Sequence, residues 1–153
     1  TTLAKGLAVR LNFSYFKDGF HRLGVQYYLD KSLELSYNTI ADRFHLGEYV
    51  YPIVKQDGRV PLTITQQNCI ERVLLLQSSI LIYCETDKST IKDTFDSRGE
   101  DFVAKTDVDQ IITLFRERFL ASLLPKFIYD YQRHTIKDII KFIEVNLKIK
   151  KDE

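Results

Sequence analysis

The sequence predicts an α/β fold of three layers, with a mainly parallel sheet between helices. Three observations predict it. Short apolar and aromatic runs at 13–16, 38–42, 80–84 and 127–131 alternate with helical patterns, an order that calls for crossover helices between parallel strands. The run Ile80-Leu81-Ile82-Tyr83-Cys84 is apolar throughout, as in a strand covered on both faces. Polar residues follow each run: Lys17 and Asp18, then Asp42 and Arg43, then Glu85, Thr86 and Asp87, then Gln132 and Arg133. In such sheets ligands bind at the carboxyl ends of the strands.

The elements follow in order. Leu3, Leu7 and Leu11 recur at helical spacing with Ala4 and Ala8 beside them, so a helix opens on Thr1-Thr2. It runs into the strand at 13–16, which exits through Lys17-Asp18-Gly19. Residues 21–35 read as a helix with Leu23, Val25 and Tyr27 inward, and 38–42 as a short strand ending on charge. Residues 47–51 read as a helical turn and 54–61, with Asp57-Gly58, as a loop. The helix at 63–77 has Cys69, Ile70, Val73 and Leu74 as its buried stripe. After the apolar strand, Asp87 caps a helix running to 97. Thr106-Asp107-Val108-Asp109 has capping-box spacing and opens a helix to about 124, stopped by Pro125. After the strand at 127–131, Thr135-Ile136-Lys137-Asp138 opens the last helix, where Ile136, Ile139, Ile140, Ile143 and Leu147 share a face.

Composition narrows the classes. The 153 residues suit one domain, and a net charge of +1 with both signs mixed gives no general case for a nucleic-acid or membrane-surface partner. No apolar run reaches membrane-spanning length. Cys69 and Cys84 match no metal spacing and no disulfide framework, which favours a reducing compartment such as the cytoplasm. His21, His45 and His134 are scattered and suggest no metal site.

The most specific segment is Asp42-Arg43-Phe44-His45-Leu46-Gly47-Glu48-Tyr49-Val50-Tyr51. It resembles the Asp-Arg motif after a strand in thymidylate kinases and related P-loop nucleotide kinases, notably phage-type ones. The opening helix resembles the one after their phosphate loop. Lys17-Asp18-Gly19 stands where they have an Arg-Glu-Pro turn, and the stretch from Ile80 to Gly99 resembles their strand, helix and lid, with the lid around 88–105. Alone, Asp42-Arg43 also fits a surface ion pair worth at most ~1 kcal/mol. The order of these features along successive strand ends carries the resemblance.

The resemblance implies a single P-loop kinase domain over 1–153, of three-layer α/β/α architecture. It implies transfer of the γ-phosphoryl of ATP, with Mg²⁺, to a (deoxy)nucleotide such as dTMP. Such catalysis rests on positioning and charge neutralisation. By resemblance, Thr1 and Asp42 serve the metal, and Thr1, Thr2 and Arg133 the donor phosphates. Arg43 holds the acceptor phosphate, which its planar fork suits. Lys17 and Asp18 face the acceptor, and Arg98 closes over the transferring group. Phe44 and Tyr51 are acceptor contacts, with Phe20 and Tyr27 as further stacking candidates. Two positions depart from the pattern: Thr94 replaces an earlier lid arginine, and Lys17 replaces an arginine. The resemblance also implies a homodimer, and host cytoplasm for a viral protein.

Two alternatives stand beside this one. A deoxynucleoside kinase of similar fold would use Asp18 as the base for a sugar hydroxyl. A nucleotide-binding module without activity would keep the fold alone. The resemblance further predicts a strand and a Gly-rich loop before Thr1. It therefore predicts a gap in the sheet where a central strand belongs, with backbone groups left to be paired.

Overall fold

The structure, a computed structural model, describes residues 2–18, 24–35, 38–56, 58–87, 89–91, 93 and 104–147. Its elements are α1 (Thr2–Leu11), β1 (Ser14–Lys17), α2 (Gly24–Glu34), β2 (Thr39–Asp42), α3 (Gly47–Lys55), α4 (Ile64–Leu76) and β3 (Leu81–Glu85). A 3₁₀ turn (Lys105–Asp107), α5 (Val108–Ala121), β4 (Lys126–Asp130) and α6 (Ile136–Leu147) complete the order. All strand pairing is parallel. Lys17 of β1 stands opposite Asp42 of β2, and Glu85 of β3 opposite Asp130 of β4.

The three-layer α/β fold follows from strand alternation. On one face Leu7 of α1 and Ile139 and Ile143 of α6 form a core with Ile40, Ile82 and Phe127 of three strands. On the other, Tyr28 of α2, with Ile70 and Leu74 of α4, packs with Leu81. Leu81 and Ile82 are neighbours in β3, so they point to opposite layers. The α6 face is as expected.

The sheet is split. Among the described residues β2 and β3 are not hydrogen-bonded to each other, leaving two strand pairs. The core of α1 and α6 spans both pairs, since it includes Ile40 of β2 and Ile82 of β3. The expected cover on both faces of 80–84 is present, with Leu81 packed on one layer and Ile80 and Ile82 on the other, but among the described residues the strand is paired on one edge and is not central. The β3 residues are half-buried and Cys84 is exposed, because no described strand lies against the β2 side.

Several boundaries move for local reasons. After α1, Asn12 takes a left-handed φ of 55° and the Phe13 amide donates to the Ala8 carbonyl at 2.9 Å. The chain thus reverses directly into β1, which starts at Ser14 rather than Phe13. A 10-residue helix and a 4-residue strand have similar lengths, so α1 brings Thr2 back toward the carboxyl end of β1.

Of the stretch read as a loop over 54–61, Val54 and Lys55 are still helical, since α3 runs through Pro52 to Lys55, and the described residues after them are not helical. Proline has no N–H to offer the Glu48 carbonyl one turn earlier; the Leu62 amide donates to that carbonyl instead, at 3.1 Å. The buried face of α4 is Gln67, Ile70, Glu71 and Leu74. Cys69, placed in the stripe by the sequence, is exposed. Its helix opens on a capping box in which Thr63 and Gln66 satisfy each other's amides.

The capping box expected at Thr106 does not form. Asp107 is the N-cap of α5 and makes no side-chain cap. α5 ends at Ala121 rather than 124, because Ser122 is extended with ψ of 144°. Asp87 does cap the next turn, accepting from the Thr90 amide at 2.8 Å. Thr1, Phe20, His21, Leu23, Thr94, Arg98 and most of the expected lid lie outside the described residues.

Candidate functional site

β1 and β2 end side by side, and Lys17, Asp18, Asp42 and Arg43 stand at their carboxyl ends. The Asp18 amide donates to the Asp42 carbonyl at 3.2 Å, extending the ladder past the last strand residues. The Asp42 Oδ2 accepts from the Tyr15 hydroxyl at 2.8 Å. Lys5, in the first half of α1, lies 5.8 Å from the Tyr15 ring. The amino-terminal half of α1 therefore lies beside the carboxylate that ends β2.

Arg43 follows with a φ of 62°. This left-handed conformation is unfavourable for a residue with a Cβ, and such residues concentrate where function demands them. The Arg43 side chain is exposed. It makes no hydrogen bond or ion pair with any described residue. Lys17, also exposed, stands opposite Asp42 in the ladder. Two cations therefore reach solvent at adjoining strand ends.

Behind them lies a buried polar group. Asp18 is 3 % exposed, and its Oδ1 accepts from the Tyr27 hydroxyl at 3.0 Å. Glu48, in the first turn of α3, is also buried, with the Arg59 guanidinium 3.7 Å away. Burial first, then the charges of Glu48 and Asp18, push the Tyr28 phenol up. Both carboxylates thus act on one tyrosine.

Burial raises the Tyr27 phenol from 10.0 to about 12, helped by its hydrogen bond to Asp18 and the charges of Asp18 and Glu34. A raised phenol pKa stabilises the fold fully below pH 10.0, and that contribution is lost as pH rises to about 12. Urea unfolding from pH 9 to pH 12 should therefore show Tyr27→Phe losing less stability than the native chain over that window. Identical slopes would contradict the hydrogen bond.

Phe44 is half-buried. Its ring packs edge-on against Tyr28 at 5.2 Å and His45 at 5.6 Å, so it serves the core. Tyr51 meets Phe115 of α5 at 5.8 Å. Phe115 in turn lines a cavity of about 220 Å³ at the carboxyl end of β3, with Cys84, Glu85, Thr86, Ile111 and Ile112. Surrounding protein raises the Cys84 thiol, and the charge of Asp42 raises it further. The ends of β2 and β3 are therefore within electrostatic reach. Thr2 is exposed at the start of α1. Arg133 is paired with Asp130 at 3.3 Å and points to solvent after β4. The structure thus brings Lys17, Asp18, Asp42 and Arg43 together and leaves Arg133 at the far strand pair.

The sequence reading missed a second buried network. Glu71 is 0 % exposed. Its carboxylate accepts from His45 Nε2 at 3.1 Å, Gln67 Nε2 at 3.0 Å and the Leu123 amide at 2.6 Å. Burial alone would raise this carboxyl; the hydrogen bonds from His45 and Leu123, the charge of His45 and the Ser122 hydroxyl hold it below its ordinary 4.5. The spacing of Gln67 and Glu71 with Ile70 and Leu74 was the available signal. Among the described residues no group of three or more His, Cys, Asp or Glu could hold a metal by itself. No helix there is long and apolar enough to cross a membrane.

No family model matches the sequence. The SPbeta prophage-derived uncharacterized protein YorR of Bacillus subtilis (strain 168) is 29% identical over 106 residues, which are 69% of this chain. The match spans 63% of that relative, less than two thirds of its length. The crystal structure of YorR from Bacillus subtilis in complex with phosphorylated GDP has the same fold. It matches with a TM-score of 0.79 at 24% identity, covering 98% of this chain and 92% of that one.

Proposed function

We propose that the chain is a thymidylate kinase-like domain that transfers the γ-phosphoryl of ATP to a nucleoside monophosphate. The observation that carries the reading is Arg43. An exposed guanidinium, unpaired with any described residue, is held in a left-handed turn where β2 ends. A monophosphate acceptor needs cations, and Arg43 and Lys17 supply them. A planar fork holds two phosphate oxygens at once. The nucleotide in the YorR crystal structure supports a nucleotide site in this fold.

The residues present fit Mg²⁺ in the way such sites use it. Mg²⁺ is bound by one or two carboxylates plus substrate phosphates rather than by an all-protein cage. Asp42 is a carboxylate at the strand end, beside the first half of α1. With the Thr1 hydroxyl, which the family resemblance assigns to the metal, it would hold the ion, which when bound neutralises phosphate charge. Asp42 is itself oriented by the Tyr15 hydroxyl.

A deoxynucleoside acceptor is the second reading, favoured by one observation. Asp18 is buried and bound by the Tyr27 hydroxyl, an oriented carboxylate suited to taking a proton from a sugar hydroxyl. Phosphoryl transfer from ATP to dTMP and GMP, measured beside thymidine and guanosine, separates the two. Transfer to the monophosphates alone is expected. Transfer to the nucleosides alone would move the assignment to Asp18, and binding without any transfer would leave a nucleotide-binding module.

A further inference from the structure

We propose that His45 is a positioning residue whose contact with Glu71 fixes the turn at Arg43 and so aims the guanidinium. The proposal rests on the nucleotide reading of the site and names a residue outside it.

Arg43 has no side-chain partner among the described residues, so its direction is set by its backbone. That backbone is in a conformation a Cβ disfavours. Such a conformation persists only where the surroundings over-determine it. On one side the turn is fixed by the Asp18 amide on the Asp42 carbonyl. On the other the first residue with a buried polar tether is His45, 2 % exposed.

Glu71 is ionised and only accepts, so His45 Nε2 carries the proton it donates. The other ring nitrogen, Nδ1, has no hydrogen-bond partner. Beyond ring packing against Phe44, the Glu71 contact is therefore the one polar restraint on the imidazole among the described residues. Glu71 itself is anchored away from the turn, by Gln67 within α4 and by the Leu123 amide before β4. Gln67 also donates to the Arg118 carbonyl of α5 at 3.2 Å. The turn is thus referred to a carboxylate that two other parts of the chain hold still.

The test combines His45→Ala, His45→Gln and Arg43→Ala with the His45→Ala, Arg43→Ala double variant. Each is titrated calorimetrically with dTMP, GMP and ATP. His45→Ala is expected to weaken monophosphate binding by about tenfold, or ~1.4 kcal/mol, with ATP binding unchanged. Gln, whose amide reaches Glu71 as Nε2 does, should restore it. In the Arg43→Ala background His45→Ala should add nothing, because it acts through Arg43. Unchanged monophosphate affinity in His45→Ala, an equal loss toward ATP, or a further loss in the double variant would overturn the proposal.

A second readout stands whether or not nucleotides bind. The Arg43 amide resonance and its HN–Hα coupling should change in His45→Ala and return in His45→Gln. If no nucleotide binds the native chain, the functional reading fails, and this resonance alone decides the positioning claim. Should His45→Ala not fold, Glu71→Gln, which keeps the shape and removes the charge, takes its place with the same expected and contrary outcomes.

Discussion

Arg43→Ala lowers transfer to a nucleoside monophosphate by about a hundredfold or more, the scale set by misplacing a reacting group, because the acceptor phosphate loses the guanidinium that holds it. The fold survives the change. Arg43 is exposed and has no described side-chain partner, so thermal unfolding should shift little. Arg43→Gly sharpens the comparison. At a φ of 62° glycine has no Cβ to clash, so this variant should be as stable as the native chain or up to ~1–2 kcal/mol more stable. It should be as inactive as the alanine variant. Loss of activity without loss of stability is the signature of a functional side chain on a strained turn. A variant that unfolds, or one that keeps near-normal transfer, would contradict the role given to Arg43. Lys17 does not replace it, because a point cation lacks the two-pronged geometry.

Glu71→Ala is the most damaging substitution expected for stability. It leaves His45 Nε2, Gln67 Nε2 and the Leu123 amide without their acceptor in a fully buried site. Removing one member of such a buried network costs roughly 3–5 kcal/mol, several times an ordinary surface change. Glu71→Gln keeps the volume and one acceptor oxygen and should cost less. The pH dependence has a defined sign. The folded carboxyl lies below its ordinary 4.5, so the stabilisation is full above that pH and is lost as pH falls through the lowered value. Chemical unfolding at a series of pH values should show the native chain weakening on the acid side more than Glu71→Gln does. Parallel acid profiles, or a loss under about 1 kcal/mol for Glu71→Ala, would mean the network is not satisfied as described.

These two residues mark what could be read from the sequence and what could not. The strand ends were legible, because Asp42-Arg43 and Lys17-Asp18 directly follow short apolar runs and parallel pairing aligns such ends. The α6 face was legible because its buried positions are all aliphatic at helical spacing. The α4 face was not. Its buried positions include Gln67 and Glu71, and only the partners supplied by His45 and Leu123 make burying them tolerable. A reading that seeks apolar stripes therefore drifted to Cys69. The length of α3 was hidden by Pro52, whose cost is offset by the Leu62 amide, fourteen residues from the carbonyl it satisfies. Phe44 reads as a stacking ring beside the motif, and its edge-on packing against Tyr28 and His45, which ties the half-buried ring to the core, was not legible from the sequence. The lack of pairing between β2 and β3 among the described residues was not legible in periodicity, which alone would draw one continuous sheet.

The central claim is that the end of β2 holds an acceptor phosphate. Calorimetric titration of dTMP and GMP against thymidine and guanosine, in the native chain and in Arg43→Ala, tests it most directly. The account predicts that each monophosphate binds at least about tenfold tighter than its nucleoside, a difference of ~1.4 kcal/mol, and that Arg43→Ala erases the difference. Equal affinity for monophosphate and nucleoside in the native chain, or a preference that survives the loss of Arg43, would contradict it.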